Sequence, residues 1–346
     1  MIQPANDISV IICTYSDDRW HDLVAAVESV QRQILLPSEI IVVIDHNPCL
    51  LKRVREHLPG VIAIENTEAP GLSGARNSGF AAANGQIIVF LDDDAVATPE
   101  WLRFLGQGYI DPLVLGTGGA VIPDWVENKP TWMPEEFYWV IGCTYRGMPE
   151  SVHLIRNPIG ANMSIRRGVL ETVGGFRTGV DSVGPRHAGA CEETELCIRA
   201  RQCWPQGAFL YQPQACVSHR VPGNRTSWRY FCWRCYVEGL AKADVAQYIG
   251  AKDGLASERI YTLRTLPQGI LHGLGDALFH YDLTGLARAG AILVGLGLTT
   301  AGYLIGQFSS PVGKSKKTEV KEAVYHRNLE SRQPVKAEAQ IRRKTQ

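Results

Sequence analysis

The sequence predicts an α/β protein built on a doubly wound, mostly parallel sheet, followed by a helical, membrane-associated C-terminal region. Two observations in the first hundred residues predict the sheet. Short runs of β-branched and aromatic residues alternate with stretches whose apolar residues recur at helical spacing. Three of these runs end in polar or acidic residues. Right-handed crossovers would bring the ends of such strands to one edge, where these sheets bind ligands.

Each element has its own signal. The predicted strands and helices alternate along residues 8–15, 20–33, 39–45, 50–58, 61–65, 71–85 and 87–94, beginning and ending with a strand. In the first helix, Asp17 or Asp18 can serve as the N-cap. A further helix is predicted to begin at Pro99, with Thr98 as its N-cap, and residues 114–123 form a Gly-rich strand.

The charge distribution excludes one class of function. The chain of 346 residues has no net charge, and 45% of its residues are hydrophobic, as in a globular protein with a substantial core. Residues 314–346 contain ten Lys or Arg and four Asp or Glu, so this tail carries +6 and the remainder −6. Nucleic acid is therefore not an expected partner of the main body. Nine scattered cysteines without a leading signal peptide indicate a reducing cytoplasm.

The most informative stretch is the apolar strand that ends in Asp92, Asp93 and Asp94. Three adjacent carboxylates repel one another and need a counter-charge when they are partly buried. Mg²⁺ or Mn²⁺ supplies one and prefers oxygen ligands. In an extended chain Asp92 and Asp94 share a side, while Asp93 turns toward the protein. The alternative is a solvated acidic turn.

The order and spacing of several motifs resemble family 2 glycosyltransferases of the GT-A fold. The matching segments are residues 10–15, 43–45, 74–79, 90–94, 157–167 and 192–199, so the resemblance spans roughly residues 7–220. It implies a nucleotide-sugar donor and a divalent metal, Mn²⁺ or Mg²⁺. It also implies that the donor is held by Thr14, Tyr15, Asp45, Arg76, Asp92 and Asp93, and the metal by Asp92 and Asp94 in an Asp-x-Asp motif. Read alone, Asp45 could instead cap a helix and Arg76 could form a surface ion pair.

The same resemblance assigns the second half of the site. Asn162 would line the donor-sugar side, and His219 would be the third metal ligand. The family has Glu-Asp at the start of a helix where this chain has Glu192-Glu193, so Glu193 is expected to be the catalytic base, with Glu192 as the alternative. The helix N-terminus is expected to lower the pKa of this base. Arg225 or Arg229, in the loop that follows, could close over the diphosphate.

The C-terminal part predicts membrane association. Residues 257–281 show an amphipathic helical pattern, and residues 289–313 carry no charge over a length that can span a bilayer. Gly295, Gly297, Gly302 and Gly306 favour close helix contact. The predicted division is a catalytic domain over 1–230, an amphipathic region over 231–284, a membrane segment over 285–313 and a disordered basic tail over 314–346. A re-entrant or interfacial arrangement would keep both ends cytoplasmic.

These observations predict an inverting glycosyltransferase at the cytoplasmic face of the inner or plasma membrane. It would use a UDP-sugar donor and a lipid-linked or glycan acceptor in polysaccharide or glycoconjugate synthesis. Residues 230–243 resemble the corresponding helix of prenyl-phosphate-linked sugar transferases, including glucuronosyl ones. Two alternatives remain open at this point. One is an enzyme acting on a soluble or glycan acceptor, with the last helix as a homo-oligomer contact. The other is a non-catalytic sugar-nucleotide-binding or scaffold protein.

Overall fold

One mixed sheet of nine strands forms the centre of the computed structural model, which describes residues 7–178, 191–249 and 260–308. The strands are β1 (Ile8–Thr14), β2 (Glu39–Ile44), β3 (Ile62–Glu65), β4 (Ile87–Asp92), β5 (Ala95–Ala97), β6 (Val114–Trp125), β7 (His153–Ile155), β8 (Asn162–Arg166) and β9 (Ala208–Val221). The tail 314–346, predicted to be disordered, lies outside the described residues.

The strand order is β3-β2-β1-β4-β8-β6-β9-β5, with β7 paired to β9. The first four strands in this order are parallel, as predicted. Beyond β4 the sheet is mixed, because β8 runs antiparallel to both β4 and β6, and β9 is parallel to β6 but antiparallel to β5 and β7. The α/β class is confirmed, and "mostly parallel" is correct only for the N-terminal half.

Helices cover both faces of the sheet. They are α1 (Trp20–Gln31), α2 (Pro48–His57), α3 (Leu72–Ala82), α4 (Trp101–Gln107), α5 (Arg167–Val173) and α6 (Glu192–Cys203). Residues of α1, α2 and α4 pack on one face of the sheet, and residues of α3, α5 and α6 on the other. Alternate residues of β4 point to the two cores, which is why its sequence is apolar without interruption.

The predicted cap of α4 is wrong. The helix begins at Trp101 rather than Pro99, and its N-cap residue is Glu100. The hydroxyl of Thr98 donates instead to the carbonyl of Cys216 in β9, 3.0 Å away. A tertiary hydrogen bond has therefore replaced the local one that the Thr-Pro pair suggested.

Within the described ranges 191–249 and 260–308, the C-terminal region contains the helices α7 (Trp228–Ile249), α8 (Leu266–Phe279) and α9 (Thr284–Phe308). One turn of π-helix, Tyr261–Thr265, precedes α8. The apolar residues of the predicted amphipathic segment 257–281 do not share one environment, since Leu266 is buried but Leu263, before α8, and Leu278 are exposed. Together with the sheet these helices lie in one compact unit, Met1–Phe308. The division at residues 230, 284 and 313 stays a prediction.

Close contact of α9 with α7 depends on glycine. A Cβ at Gly302 would overlap the carbonyl of Tyr236, and one at Gly239 would overlap the carbonyl of Thr299. A Cβ at Gly295 would overlap the ring of Phe137, whereas one at Gly297 would meet no atom within 4 Å. The predicted role of the glycines in close contact is confirmed for Gly295, Gly302 and Gly306, which approach other parts of this chain.

Candidate active site

The C-terminal ends of three parallel strands bring polar side chains to one edge of the sheet. β1 lies between β2 and β4, and Thr14, Asp45 and Asp92 stand at or just after the ends of these strands. Asp93 and Asp94 continue from β4 into the short strand β5. The sheet edge expected from the sequence is therefore the edge where these carboxylates meet.

Asp92, Asp94 and His219 form a cluster that can hold a divalent metal. One potential ligand atom from each residue lies within 4.8 Å of the others. The antiparallel register of β5 and β9 explains the meeting, because it pairs His219 with Ala95, the residue after Asp94. His219 Nε2 is 3.1 Å from Asp94 Oδ1, and both side chains are buried. Two carboxylates and one imidazole are suitable ligands for Mn²⁺ or Mg²⁺.

The far side of His219 is supported by a residue that sequence reasoning did not identify. Cys143 Sγ is 3.8 Å from His219 Nδ1, and it also donates to the carbonyl of Ile141 at 3.8 Å. Burial opposes protonation of His219, but the hydrogen bond to Asp94 and the contact with Cys143 outweigh it, and its pKa is raised to about 10. No spacing rule connects Cys143 with His219, since the two meet only through the fold.

Arg19 is a second residue that the sequence analysis missed. Its Nη1 donates to Asp93 Oδ1 at 2.6 Å and lies 3.3 Å from Asp94 Oδ2. Asp93 is only 2% exposed and holds Arg19, while its contact with the nucleotide sugar stays a prediction. Burial raises the pKa of Asp93 to about 6 although Arg19 opposes the shift. Arg225 Nη2 approaches the same centre, 3.9 Å from Asp94 Oδ2.

Arg76 joins the metal cluster to the two glutamates. It is 2% exposed, and it lies 3.4 Å from Asp92 Oδ1 and 3.1 Å from Glu192 Oε1. It also donates to the carbonyl of Gly160 at 3.1 Å. Because Arg76 is buried, the surface ion pair that was the alternative is wrong, and its contact with the donor stays a prediction. Arg76 is a buried bridge that orients Asp92.

Glu192 and Glu193 have different surroundings at the start of α6. Glu192 is paired with the buried guanidinium of Arg76. Burial, followed by the neighbouring charge of Glu192, raises the pKa of Glu193 to about 8. The expectation that the helix N-terminus would lower this pKa is wrong, because loss of hydration and a like charge dominate. A buried carboxyl whose pKa is raised toward neutral pH is typical of an acid–base site.

Comparison with known proteins agrees with this geometry. The family model described as "Glycosyl transferase family 2" matches residues 9–174. Glucosyl-dolichyl phosphate glucuronosyltransferase of Haloferax volcanii is 36% identical over 68% of this chain and 76% of its own length. The chain belongs to glycosyltransferase family 2. The pre-mycofactocin glycosyltransferase of Mycobacterium tuberculosis is 26% identical over 53% of this family 2 chain and 36% of the relative.

A solved structure supports the GT-A fold of this family 2 glycosyltransferase. The mannosyltransferase PcManGT of Pyrobaculum calidifontis, solved with GDP-Man and Mn²⁺, superposes with a TM-score of 0.53. It covers 87% of this chain and 88% of its own at 16% sequence identity, a level at which the likeness concerns the fold. The predicted fold is thereby confirmed, and membership of glycosyltransferase family 2 confirms the predicted transferase activity.

Two predicted donor contacts of the glycosyltransferase have structural roles. Asn162 is fully buried, accepts from Trp101 Nε1 at 2.7 Å and donates to the carbonyls of Ala120 and Ala215. All of its polar atoms are engaged, so the prediction that it binds the sugar is wrong. Asp45 accepts from Asn66 Nδ2 at 2.6 Å and from the amide of Gly71 at 2.9 Å. Asn47, rather than Asp45, caps α2.

The other predicted contacts differ in their exposure to solvent. Tyr15 is 58% exposed, and the guanidinium of Arg19 lies 5.3 Å from its ring centroid. Thr14 is buried, and Arg229 is exposed in the first turn of α7. An exposed aromatic ring at this place suits stacking against a nucleotide base, while the roles of Thr14 and Arg229 stay predictions.

The last helix has the length and composition of a membrane span. Among the described residues, Thr284–Phe308 is the one helix that is long and apolar enough to cross a bilayer. One third of its most apolar window is buried within the protein. The remaining surface includes Leu293, Leu304 and Phe308, which are exposed. These features agree with membrane association.

Proposed function

We propose that this glycosyltransferase is inverting and metal-dependent and transfers a sugar from a UDP-linked donor to a lipid-linked acceptor. The observation that carries this proposal is the pair Glu192 and Glu193. Arg76 connects Glu192 to Asp92 of the metal cluster, and Glu193 follows with a pKa raised to about 8. Glu193, as a proton acceptor, and the metal cluster, which would stabilise an anion, are therefore connected through Glu192 and Arg76.

Asp92, Asp94 and His219 would hold Mn²⁺ or Mg²⁺. When bound, such an ion stabilises the negative charge of the departing diphosphate. The protein would add Arg19 and Arg225, whose guanidinium groups lie 3.3 and 3.9 Å from Asp94 Oδ2. Both are placed to form charge-assisted hydrogen bonds with phosphate oxygens. Tyr15 supplies an exposed ring for the base.

Glu193 would take the proton of the acceptor hydroxyl. The hydroxyl oxygen then forms a bond to the anomeric carbon, and the bond from that carbon to the diphosphate oxygen breaks. UDP leaves with the bonding electrons, and the configuration at the carbon inverts. A general base is most effective when its pKa is near the working pH, and a value of about 8 meets this condition.

The acceptor is assigned from the Haloferax relative and from the C-terminal helices. The name of that relative describes transfer of a glucuronosyl group to glucosyl-dolichyl phosphate. In this chain α8, α9 and the π-helical turn before α8 expose large apolar side chains that suit a lipid surface or a lipid chain: Leu263, Leu271, Leu278, Phe279, Leu293, Leu304 and Phe308. We propose that the enzyme acts at the cytoplasmic face of the membrane.

A donor-release assay tests the proposal. Purified full-length protein is incubated with a set of UDP-sugars and Mn²⁺, and the release of UDP is measured with and without EDTA. Metal-dependent release from at least one UDP-sugar is the expected result. Release that persists in EDTA would overturn the metal role. No release from any sugar nucleotide would favour a non-catalytic sugar-nucleotide-binding or scaffold protein.

A further inference from the structure

A polar cavity of about 350 Å³ lies between the segment around residues 129–136 and the helices α8 and α9. Asp276 of α8 and Arg288 of α9 line it on one side, and Glu135 and Glu136 on the other. None of the residues assigned to the reaction takes part. Its volume is in the range of ligand-binding pockets, so the cavity has room for a small polar group.

Glu136 brings a buried carboxylate into this cavity. It is 4% exposed, and Gly269 of α8 leaves room for it, since a Cβ there would lie 2.6 Å from Glu136 Oε1. Arg146 Nη1 forms an ion pair with Oε1 at 3.7 Å, which is longer than a hydrogen bond. Within the part of the chain that the structure describes, no group donates a hydrogen bond to this carboxylate. A carboxylate has room for about four donors, so a ligand that supplies donors would be stabilised here.

The cations on the cavity wall already have carboxylate partners. Lys129 Nζ and Arg146 Nη2 lie 3.0 and 2.8 Å from the two oxygens of Glu135. Lys129 also contacts the hydroxyl of Tyr138. On the opposite wall, the guanidinium of Arg288 is shared between two aspartates. The cavity therefore offers no cation that is left over for an anionic ligand.

The charge at the opposite wall completes the count. Arg288 Nη2 is 2.6 Å from Asp276 Oδ2 and 3.1 Å from Asp282 Oδ2. His272 and His280 approach Asp276 Oδ1 only to 4.0 and 3.7 Å, so this oxygen also lacks a short hydrogen bond. With neutral histidines, three cations (Lys129, Arg146, Arg288) face four carboxylates (Glu135, Glu136, Asp276, Asp282). The net charge of −1 favours a cationic group.

Large apolar side chains surround the turn between α8 and α9. In this hairpin tip, residues 278–286, the exposed apolar side chains are Leu278, Phe279, Tyr281, Leu283 and Leu286. The cavity lies directly beside the tip, because its wall includes Asp276, which precedes the tip, and Thr284, which belongs to it. Exposed apolar side chains next to charged ones are typical of a protein surface at the membrane interface.

We propose that this cavity binds the headgroup of a membrane aminophospholipid. The primary ammonium group lies against Glu136 and Asp276, and the acyl chains run along the hairpin tip. A primary ammonium group supplies one positive charge and three N–H donors, which matches the net charge and the two carboxylates that lack donors. This lipid site is separate from the sugar transfer and goes beyond it.

A headgroup series tests the inference on the wild-type protein alone. Full-length protein in detergent is titrated calorimetrically with dihexanoyl phospholipids that differ only in their headgroups. Phosphatidylethanolamine is expected to bind about tenfold more tightly than phosphatidylcholine, because full methylation of the nitrogen removes all three N–H donors. Phosphatidylglycerol, which has no cation, should bind no more tightly than phosphatidylcholine. Equal affinities for ethanolamine and choline lipids, or a preference for phosphatidylglycerol, would overturn the inference.

Two variants and a soluble amine locate the site and identify the source of the ligand. Glu136→Gln should lower the affinity for phosphatidylethanolamine to that for phosphatidylcholine and leave the latter unchanged. Glu100→Gln, which alters an exposed carboxylate outside the cavity, should bind as the wild type does. A full preference for phosphatidylethanolamine in Glu136→Gln would contradict the site. Ethanolamine that binds as tightly as the lipid would show that the ligand is a soluble amine and overturn the lipid assignment.

Discussion

Two neighbouring glutamates differ in what lies within reach of each carboxylate. Glu192 has a guanidinium at 3.1 Å, while Glu193 has burial and a like charge beside it. A sequence motif cannot separate residues of the same type at adjacent positions. The structure separates them through Arg76, which comes from a helix more than a hundred residues earlier.

The first prediction concerns the base. Glu193→Gln should lower kcat by about 10²–10⁴ and change donor affinity only a few fold, because the amide cannot accept the proton. Glu192→Gln should act differently, since it removes the partner of a buried cation and weakens folding. Steady-state kinetics and thermal unfolding of both variants distinguish the two effects. A selective loss of kcat in Glu192→Gln, with a normal Glu193→Gln, would reverse the assignment.

The second prediction is the pH dependence of the reaction. Because the pKa of Glu193 is raised to about 8, the carboxyl is protonated below that pH and cannot act as a base. The value of kcat/KM should therefore rise as pH increases through about 8 and level off above it. The rising limb should disappear in the residual activity of Glu193→Gln. A profile that is flat between pH 6 and 9 would argue against this base.

The third prediction concerns the metal cluster. Asp94→Asn removes a ligand charge and the hydrogen-bond partner of His219. Turnover should fall by at least about a hundredfold, since a metal contributes several kcal/mol to leaving-group stabilisation. Mn²⁺-dependent binding of UDP, measured by titration, should be lost at the same time. Asp22→Asn, which alters an exposed ion pair with Arg220, is the control.

The individual site residues differ in how far their roles could be predicted from the sequence. Asp92, Asp94 and His219 were predictable because strand patterns and a family motif placed them at one edge. Asn162 was misassigned, since its amide is needed to satisfy Trp101 and two carbonyls, a requirement that arises only after folding. Arg19 and Cys143 carried no local signal, and their contacts depend on chain segments far apart in sequence.

At the scale of elements, α7 and α9 depend on one another. Their approach is close enough for Gly239 and Gly302 to face each other with no room for a side chain. The apolar length of α9 was readable from the sequence. The packing of α9 against α7 could not be predicted, because α7 carries charged and aromatic residues and has no apolar periodicity that would indicate a packed face.

The fourth prediction tests this packing. Gly302→Val should lower the free energy of unfolding by about 1–3 kcal/mol, because the side chain would collide with the carbonyl of Tyr236. Gly297→Ala is the matched control on the same helix, where a Cβ meets nothing within 4 Å. It should be neutral or stabilising by up to about 1 kcal/mol through helix propensity. Chemical unfolding in detergent measures both, and equal effects would contradict the close approach.

For the whole molecule, the apolar surface of α8 and α9 should determine where the enzyme resides. We expect full-length protein to sediment with membranes, to resist a high-salt wash and to be released by detergent. Replacing the exposed Leu278 and Phe279 with glutamate should weaken this retention. Complete release of the wild type by salt would show that the basic tail alone holds it to anionic lipid.

A shortened chain is a poor way to separate catalysis from anchoring. Removing α9 would uncover the Gly239 face of α7 and the ring of Phe137, which rests on Gly295. Substitutions on the outer surface leave these contacts in place. Oligomeric state and the cytoplasmic placement of the site remain predictions for sedimentation and accessibility labelling.

The segment around Phe137 has a practical consequence for purification. Phe137 lies on Gly295 of α9, and Gly142, five residues later, borders the imidazole of His219. A detergent that displaces α9 would therefore disturb the support of a metal ligand on the other side of the same short segment. The amount of Mn²⁺ needed for half-maximal UDP release should then differ between detergent micelles and lipid nanodiscs. The Mn²⁺ concentration for half-maximal activity would therefore report how closely the solubilising medium reproduces the packing of α9 in the bilayer.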